Sequence, residues 1–323
     1  MKNKAIILIF LVNSIFTVSC TFAQSNSYKA VINLFDNAQI VFLGESHWSR
    51  QDSDFRIELL KTHNLVSKID DVVIEFGNSL YQDLLDAYFL DLKDISDTEL
   101  SKVWRNTTSS SGVWDSPVYK EFLMEVRKIN NKLPKKDRIR IVAMGPPIDW
   151  DKVEVFADQL PFFNRGWSFV RVIEREVIAK NHKALVIIGS GHLNRFDNDM
   201  DEDDNLIRRL EALHPQKHFK VVVPVRLLTA EALTMLSSMV KRTNLPIYIN
   251  THISPFNNLK AGNYLRETIG VLEEVVDGLI FWGSIKDEEV SPDKQFYEIN
   301  SNYYEELKRR QGLKMRLPLK SYN

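Results

Sequence analysis

Seven short apolar runs, rich in β-branched residues, punctuate this chain. Between them apolar residues recur at helical spacing. The runs 39–44, 71–76, 139–144, 184–189, 219–225, 246–250 and 277–282 predict strands. Periodic segments over 52–68, 79–92, 97–105, 165–181, 204–213 and 229–242 predict helices; Phe55, Leu59, Leu60 and Val66 mark the apolar face of the first. A further helix begins at Pro117, with Asp115 or Ser116 as its N-cap, and stops before Pro134. Strands separated by helical stretches imply βαβ crossovers. The expected fold is α/β, a mostly parallel central sheet flanked by helices.

No internal repeat and no long Gly/Ser- or Pro-rich linker divides the chain, so one α/β domain over 24–323 accounts for it. The polar stretch Thr107-Thr-Ser-Ser-Ser-Gly112, between Trp104 and Trp114, interrupts the alternation. It reads either as an exposed connection or as a lid over strand ends.

The first residues read as an export signal. Lys2 and Lys4 precede a mostly apolar Ala5–Val18, and Thr21-Phe22-Ala23 offers small residues for cleavage. A signal peptide over 1–23 implies a periplasmic or secreted protein. That apolar stretch is shorter than the ~20 residues a membrane-spanning helix needs, and no later stretch is more apolar. Val18-Ser19-Cys20 partly matches a lipoprotein cleavage site, which makes a lipid anchor at Cys20 the alternative end of the leader.

Cys20 is the only cysteine. The mature domain therefore lacks a disulfide, a catalytic thiolate and a cysteine metal site, and its core alone must hold it. With 42 basic and 43 acidic residues there is no basic stripe, and nucleic acid is not an expected partner.

Chemistry concentrates at the ends of the predicted strands. Gln39-Ile-Val-Phe-Leu43 runs into Gly44-Glu45-Ser46-His47, Val72-Val73-Ile74 ends on Glu75, and Ala184-Leu-Val-Ile-Ile188 leads through Gly189-Ser-Gly191 to His192. In an open α/β sheet the carboxyl ends of the strands line one crevice, so these residues are expected to meet there. Glu45 and His47, one residue apart, would face the same side of an extended chain, and a carboxylate beside an imidazole orients it and raises its basicity. Gly44 and the glycines before His192 are expected to permit turns at the strand ends. Arg50 is a candidate to stabilise developing negative charge. Asp149, Arg195 and His252 are lesser candidates.

Other chemistries fit poorly. Gly189-Ser190-Gly191 is not a nucleophile elbow, because Ile187 occupies the first glycine position. Neither a dinucleotide-binding glycine motif nor a His-Glu-x-x-His zinc motif occurs. Two imidazoles and two carboxylates suit a water-activating base, a divalent metal or a haem ligand, and the cofactor stays open among metal, haem and none.

The order of these motifs resembles the superfamily of erythromycin esterases, Tiki proteases and ChaN-type haem-uptake proteins. The resemblance rests on Gly44-Glu45-Ser46-His47, Glu75 and Gly189-Ser-Gly-His192, and spans most of the mature chain. It implies an α/β core and a site at Glu45, His47, Glu75 and His192, with His47 as base or ligand. A single residue separates Glu45 from His47, which places the chain nearer the ChaN and Tiki members than the macrolide esterases. The expected function is an exported hydrolase cleaving an ester or amide bond of a small molecule or peptide with a histidine-activated water, catalysed through Glu45, His47, Arg50, Glu75 and His192. The alternative is a haem- or metal-binding protein without hydrolytic activity.

Overall fold

A computed structural model describes residues 27–315, apart from 110, 196–204, 225–227, 241–244, 263–267, 283–288 and 293–300. The expected signal peptide over 1–23 and Cys20 lie outside the described residues.

Helix α1 (Ser27–Leu34) precedes β1 (Ile40–Glu45), and α2 (Arg50–Lys61) with the single turn α3 (His63–Val66) leads to β2 (Asp71–Asn78). Three helices, α4 (Gln82–Phe89), α5 (Asp97–Arg105) and α6 (Pro117–Asn130), fill the connection to β3 (Arg140–Gly145). Then come α7 (Arg165–Ile173), β4 (Ala184–Gly189), α8 (Leu206–Leu213), β5 (Phe219–Pro224), α9 (Ala230–Met239) and β6 (Ile247–Asn250). A separate two-stranded pair, β7 (Lys260–Gly262) and β8 (Thr268–Val271), is followed by the turn α10 (Leu272–Val275), by β9 (Gly278–Phe281) and by α11 (Ser301–Met315).

All seven expected strands form one sheet in the order β3-β2-β4-β1-β5-β9-β6. Every pairing is parallel except β6 with β9. The central strands β1, β2 and β4 are buried along their whole length and mostly apolar, because both faces are covered. Val41, Leu43, Val72, Ile74, Leu185 and Ile187 pack on one face with α2 and α6, while Ile40, Phe42, Val73, Val186 and Ile188 pack on the other with α7 and α8. Among the described residues no helix is long and apolar enough to cross a membrane.

Three departures from the expected elements have local causes. The helix expected over 52–68 breaks at Thr62, which takes an extended backbone while its hydroxyl donates back to the Glu58 carbonyl oxygen at 3.2 Å. The helix expected over 165–181 turns π-helical at Glu174–Ile178 and ends near Asn181, which takes a left-handed backbone (φ 54°). The strand expected over 71–76 runs two residues further. There a bulge against β3 shifts the register between Ile74 and Asn78, a device that re-aims side chains at a sheet's rim.

Strand order positions the site. The chain lays down β1, skips one place to β2, continues to β3, and only then inserts β4 into the gap. Growth of the sheet then resumes on the other side of β1 with β5. The register sets Glu45 opposite Gly189 and Ile74 opposite Ile187. The carboxyl ends of β2, β4 and β1 are therefore neighbours at one level.

Candidate functional site

The segment after β1 is tied down residue by residue. Ser49 caps α2, accepting from the Asp52 backbone N–H at 3.1 Å, and the Asp52 carboxylate accepts from the Ser46 backbone N–H at 2.7 Å. Trp48, between them, has a left-handed backbone (φ 67°). This conformation is strained for a bulky residue and persists only where surroundings enforce it. Its backbone N–H donates to the Tyr119 hydroxyl at 3.4 Å, its carbonyl accepts from the Val290 N–H at 2.8 Å, and its indole N–H bonds the Val113 carbonyl.

This turn presents His47 with its Nδ1 2.9 Å from Glu45 Oε1. Glu45 is buried, and two groups hold it besides His47's ring: the Tyr119 hydroxyl donates to Oε1 at 3.1 Å, and Arg56 Nη1 forms a buried ion pair with Oε2. Burial would raise the Glu45 pKa, but the Arg56 charge and the His47 hydrogen bond outweigh it and hold it below its usual value. Burial likewise works against charging His47. The hydrogen bond and charge of Glu45, with Glu75 adding, nevertheless raise the imidazole above 6.5. The His47 side chain remains 39% exposed, with the edge of Trp114 against it at 4.8 Å between ring centres.

A second carboxylate–imidazole pair stands beside the first. Glu75 Oε2 accepts from the Gly189 backbone N–H at 2.7 Å, and Oε1 lies 3.3 Å from His192 Nε2 and 3.6 Å from Arg165 Nη1. Burial pushes the Glu75 carboxyl up, but the charge and hydrogen bond of His192, helped by His47 and Arg165, bring it down to about 2. His192 is itself buried, with Phe169 edge-on at 5.6 Å.

Gly189 joins the two pairs. A Cβ there would stand 3.0 Å from His47 Cε1 and 3.3 Å from Glu75 Oε2. The glycines do not serve as expected, for among the described residues only Gly112 is a glycine with positive φ. Gly44 lies within β1 and leaves room for Ser190, whose Oγ would be 2.6 Å from a Cβ at that position. These positions need space, not a left-handed backbone.

Glu45, His47, Glu75 and His192 are thus gathered as the motifs suggested. Arg50 is not with them. Its guanidinium pairs with Glu121 of α6, and Asp54 is 3.9 Å away, because the helix it starts carries it outward. The guanidinium groups that reach the carboxylates are Arg56 and Arg165. Arg56 is legible as an anomaly, a charge among the buried positions Phe55, Ile57, Leu59 and Leu60 of α2. Tyr119 and Arg165 carry no such signal.

The lesser candidates lie elsewhere. Asp149 caps a short turn, accepting from the Asp151 N–H at 3.3 Å and pairing with Lys152 at 2.8 Å. Arg195 and His252 both bind Asp277, at 2.9 and 3.3 Å. His252 follows β6, and since β6 runs antiparallel its carboxyl end falls at the amino end of β9. Beside the polar stretch read as either a connection or a lid, Trp114 is buried against His47, and the Thr107 carbonyl accepts from the Trp150 indole at 2.9 Å.

The donor set does not fit a metal ion. Each carboxylate is already engaged by a guanidinium and an imidazole, and among the described residues no group of three or more His, Cys, Asp or Glu side chains could hold one. The arrangement suits proton transfer.

No protein-family model and no curated protein sequence matches the chain. Among solved structures, it is similar to a crystallised Bacillus cereus protein (TM-score 0.55, 12% identity, 83% of this chain and 94% of that one). It is also similar to the type III effector HopBA1 (TM-score 0.40, 12% identity, 62% and 83%). A third similar structure is ChaN of Campylobacter jejuni, solved with cofacially bound haem (TM-score 0.40, 15% identity, 60% and 84%). At 12% identity the likeness to the Bacillus cereus protein shows a shared fold.

Proposed function

We propose that this protein is a hydrolase that cleaves an ester or amide bond with a water activated by His47. The observation that carries the reading is the convergence of two carboxylate–imidazole pairs, Glu45–His47 and Glu75–His192, over one glycine at the rim of the sheet. In the neutral ring, Nδ1–H donates to Glu45 and leaves the Nε2 lone pair free to take a proton. Arg56 and Tyr119 hold Glu45 in position, so the ring is oriented before substrate arrives. The proton taken from water rests on Nε2, and the resulting imidazolium is stabilised between Glu45 and Glu75.

Arg165, rather than Arg50, is the cation placed to stabilise negative charge developing on the substrate. His192, hydrogen-bonded by Glu75, is the second imidazole and the candidate donor to the leaving group. No step requires a metal.

A panel of chromogenic esters and anilides, assayed with the wild-type protein and the His47→Ala variant, tests this. Replacing His47 should remove ~10²–10⁴-fold of the rate. Wild-type-like turnover in the variant would remove His47 from the mechanism. The alternative, haem ligation without hydrolysis, is separated by titrating the same two proteins with haem. A Soret band that vanishes in His47→Ala, together with no hydrolysis by wild type, would replace the hydrolytic reading.

A further inference from the structure

Helix α11 reaches the site through the polar stretch between Arg105 and Asp115. Along α11, Tyr303, Leu307, Arg310 and Leu313 recur at helical spacing, and the last three are buried. Burying a guanidinium is costly unless its donors are paired. In Arg310 they are: Nε donates to Glu306 Oε1 at 2.7 Å, Nη1 to the Arg105 carbonyl at 2.7 Å and Nη2 to Asn106 Oδ1 at 2.9 Å. These bonds fix the end of α5. Beyond the polar stretch, the Tyr303 hydroxyl donates to Asp115 Oδ2 at 3.0 Å. Arg105 closes the arrangement, with Nε 3.3 Å from Asp115 Oδ1 and its guanidinium over the Tyr303 ring at 4.9 Å. One helix therefore clasps both ends of the stretch.

Asp115 belongs to the single 3₁₀ turn Val113–Asp115, in which its N–H donates to the Gly112 carbonyl at 3.0 Å. Every residue of that turn is anchored. The Val113 carbonyl accepts from the Trp48 indole, the buried Trp114 ring meets the His47 ring edge-on at 4.8 Å, and Asp115 is held by Arg105 and Tyr303. Adjacent Cα atoms are about 3.8 Å apart across a planar peptide, so a shift of Asp115 carries Trp114 with it.

We propose that Tyr303 and Arg310 are positioning residues: through the 105–115 connection they hold Trp114 against His47 and so keep the imidazole on Glu45. Trp114 fills the space into which the ring would otherwise turn, away from the carboxylate oxygen 2.9 Å from Nδ1. The effect on rate rests on the hydrolytic reading; the hold on the ring does not.

The test uses the full chain carrying Tyr303→Phe, which deletes one hydroxyl and keeps the ring, or Arg310→Lys, which keeps the charge and loses the fork. Lys308→Ala is the control, since Lys308 pairs with Glu305 and Tyr304 on the exposed face of α11. Circular dichroism and thermal unfolding establish that each protein is folded at the assay temperature. The His47 ring resonance, assigned by its loss in His47→Ala, should move in both test variants in the direction that Trp114→Phe moves it, and stay in place in Lys308→Ala. With a chromogenic ester, kcat should fall about 10-fold in each test variant while KM holds, as expected for a displaced base. Tyr303→Phe added to Trp114→Phe should cost less than it costs alone, because both act on one path.

A lower melting temperature with an unmoved His47 resonance would make α11 a prop of the fold and overturn the proposal. So would a resonance that moves while kcat stays, or losses that multiply in the double variant. If wild type turns over no ester, the hydrolytic reading fails by itself, and the resonance alone judges the clasp: movement in both test variants supports it, and none overturns it.

Discussion

Gly189 lies directly against the His47 ring: a methyl group at its Cα would stand 3.0 Å from Cε1 and 3.3 Å from Nε2. The same methyl would be 3.3 Å from Glu75 Oε2. Two carboxylate–imidazole pairs can therefore share one rim only because this strand end carries no side chain. Gly189→Ala should fold, since Gly189 has an ordinary negative φ of −53°, but the ring must move by a few tenths of an ångström or more. Hydrolysis should fall about 10- to 100-fold, in line with the sensitivity of catalysis to small displacements. An unchanged rate together with an unchanged His47 titration by NMR would show that the contact does not matter.

The pH–rate profile should report the Glu45–His47 pair. A general base must be neutral, and Glu45 raises the His47 pKa above 6.5. The acid limb of kcat/KM should therefore have an apparent pKa above 6.5, with the rate rising as pH increases. Glu45→Gln removes the raising charge, so its limb should move to lower pH while the maximal rate falls. A limb that does not move on this substitution would detach Glu45 from the base.

Arg56 is the counter-ion of a buried carboxylate, and its removal leaves Glu45 uncompensated. Arg56→Met should destabilise the protein by about 3–5 kcal/mol in urea unfolding. Combining it with Glu45→Gln should recover a large part of that loss, because the stranded charge is then gone. Strictly additive losses in the double variant would mean that the ion pair is not the coupled unit described here.

Stability in acid should depend on Glu75. Its folded pKa of about 2 lies below the 4.5 of the free side chain, so its contribution is present above 4.5 and is lost as pH falls toward 2. The contribution is on the order of 3 kcal/mol. Glu75→Gln should be less stable than wild type at pH 6, and the difference should shrink by pH 3. His47 has the opposite sign, since its raised pKa gives stability below 6.5 that is lost as pH rises through the folded value. A difference between Glu75→Gln and wild type that is constant from pH 6 to pH 3 would contradict the assignment.

Chelation should leave hydrolysis unaltered. Glu45 and Glu75 are already bound by Arg56 and Arg165, which makes them poor cation ligands. Loss of activity on dialysis against EDTA, restored by a divalent ion, would overturn the metal-free scheme.

Much of this was readable from local pattern. The central strands are mostly apolar runs buried on both faces, so their existence follows from short-range composition. Glu45, His47, Glu75 and His192 stood out as polar groups at the ends of such runs. The reason offered for the glycines did not hold, because close approach of distant side chains has no local signature. Arg50 looked suitable by sequence distance from His47, yet the direction of α2 takes it to Glu121. His252 looked suitable because it follows a strand, but that strand runs the opposite way.

The amino-acid order by itself determined the α/β class, the strands and the four candidate residues near their carboxyl ends, since periodicity and burial preference act over a few neighbouring positions. The tertiary structure decided what those residues became. Insertion of β4 between β2 and β1 set Gly189 between Glu75 and Glu45 and brought His192 to Glu75, and packing of α2, α6 and α7 delivered Arg56, Tyr119 and Arg165 to the carboxylates. Strand order and helix docking are set by which distant surfaces bury one another best, and that competition is settled only when the whole chain is folded.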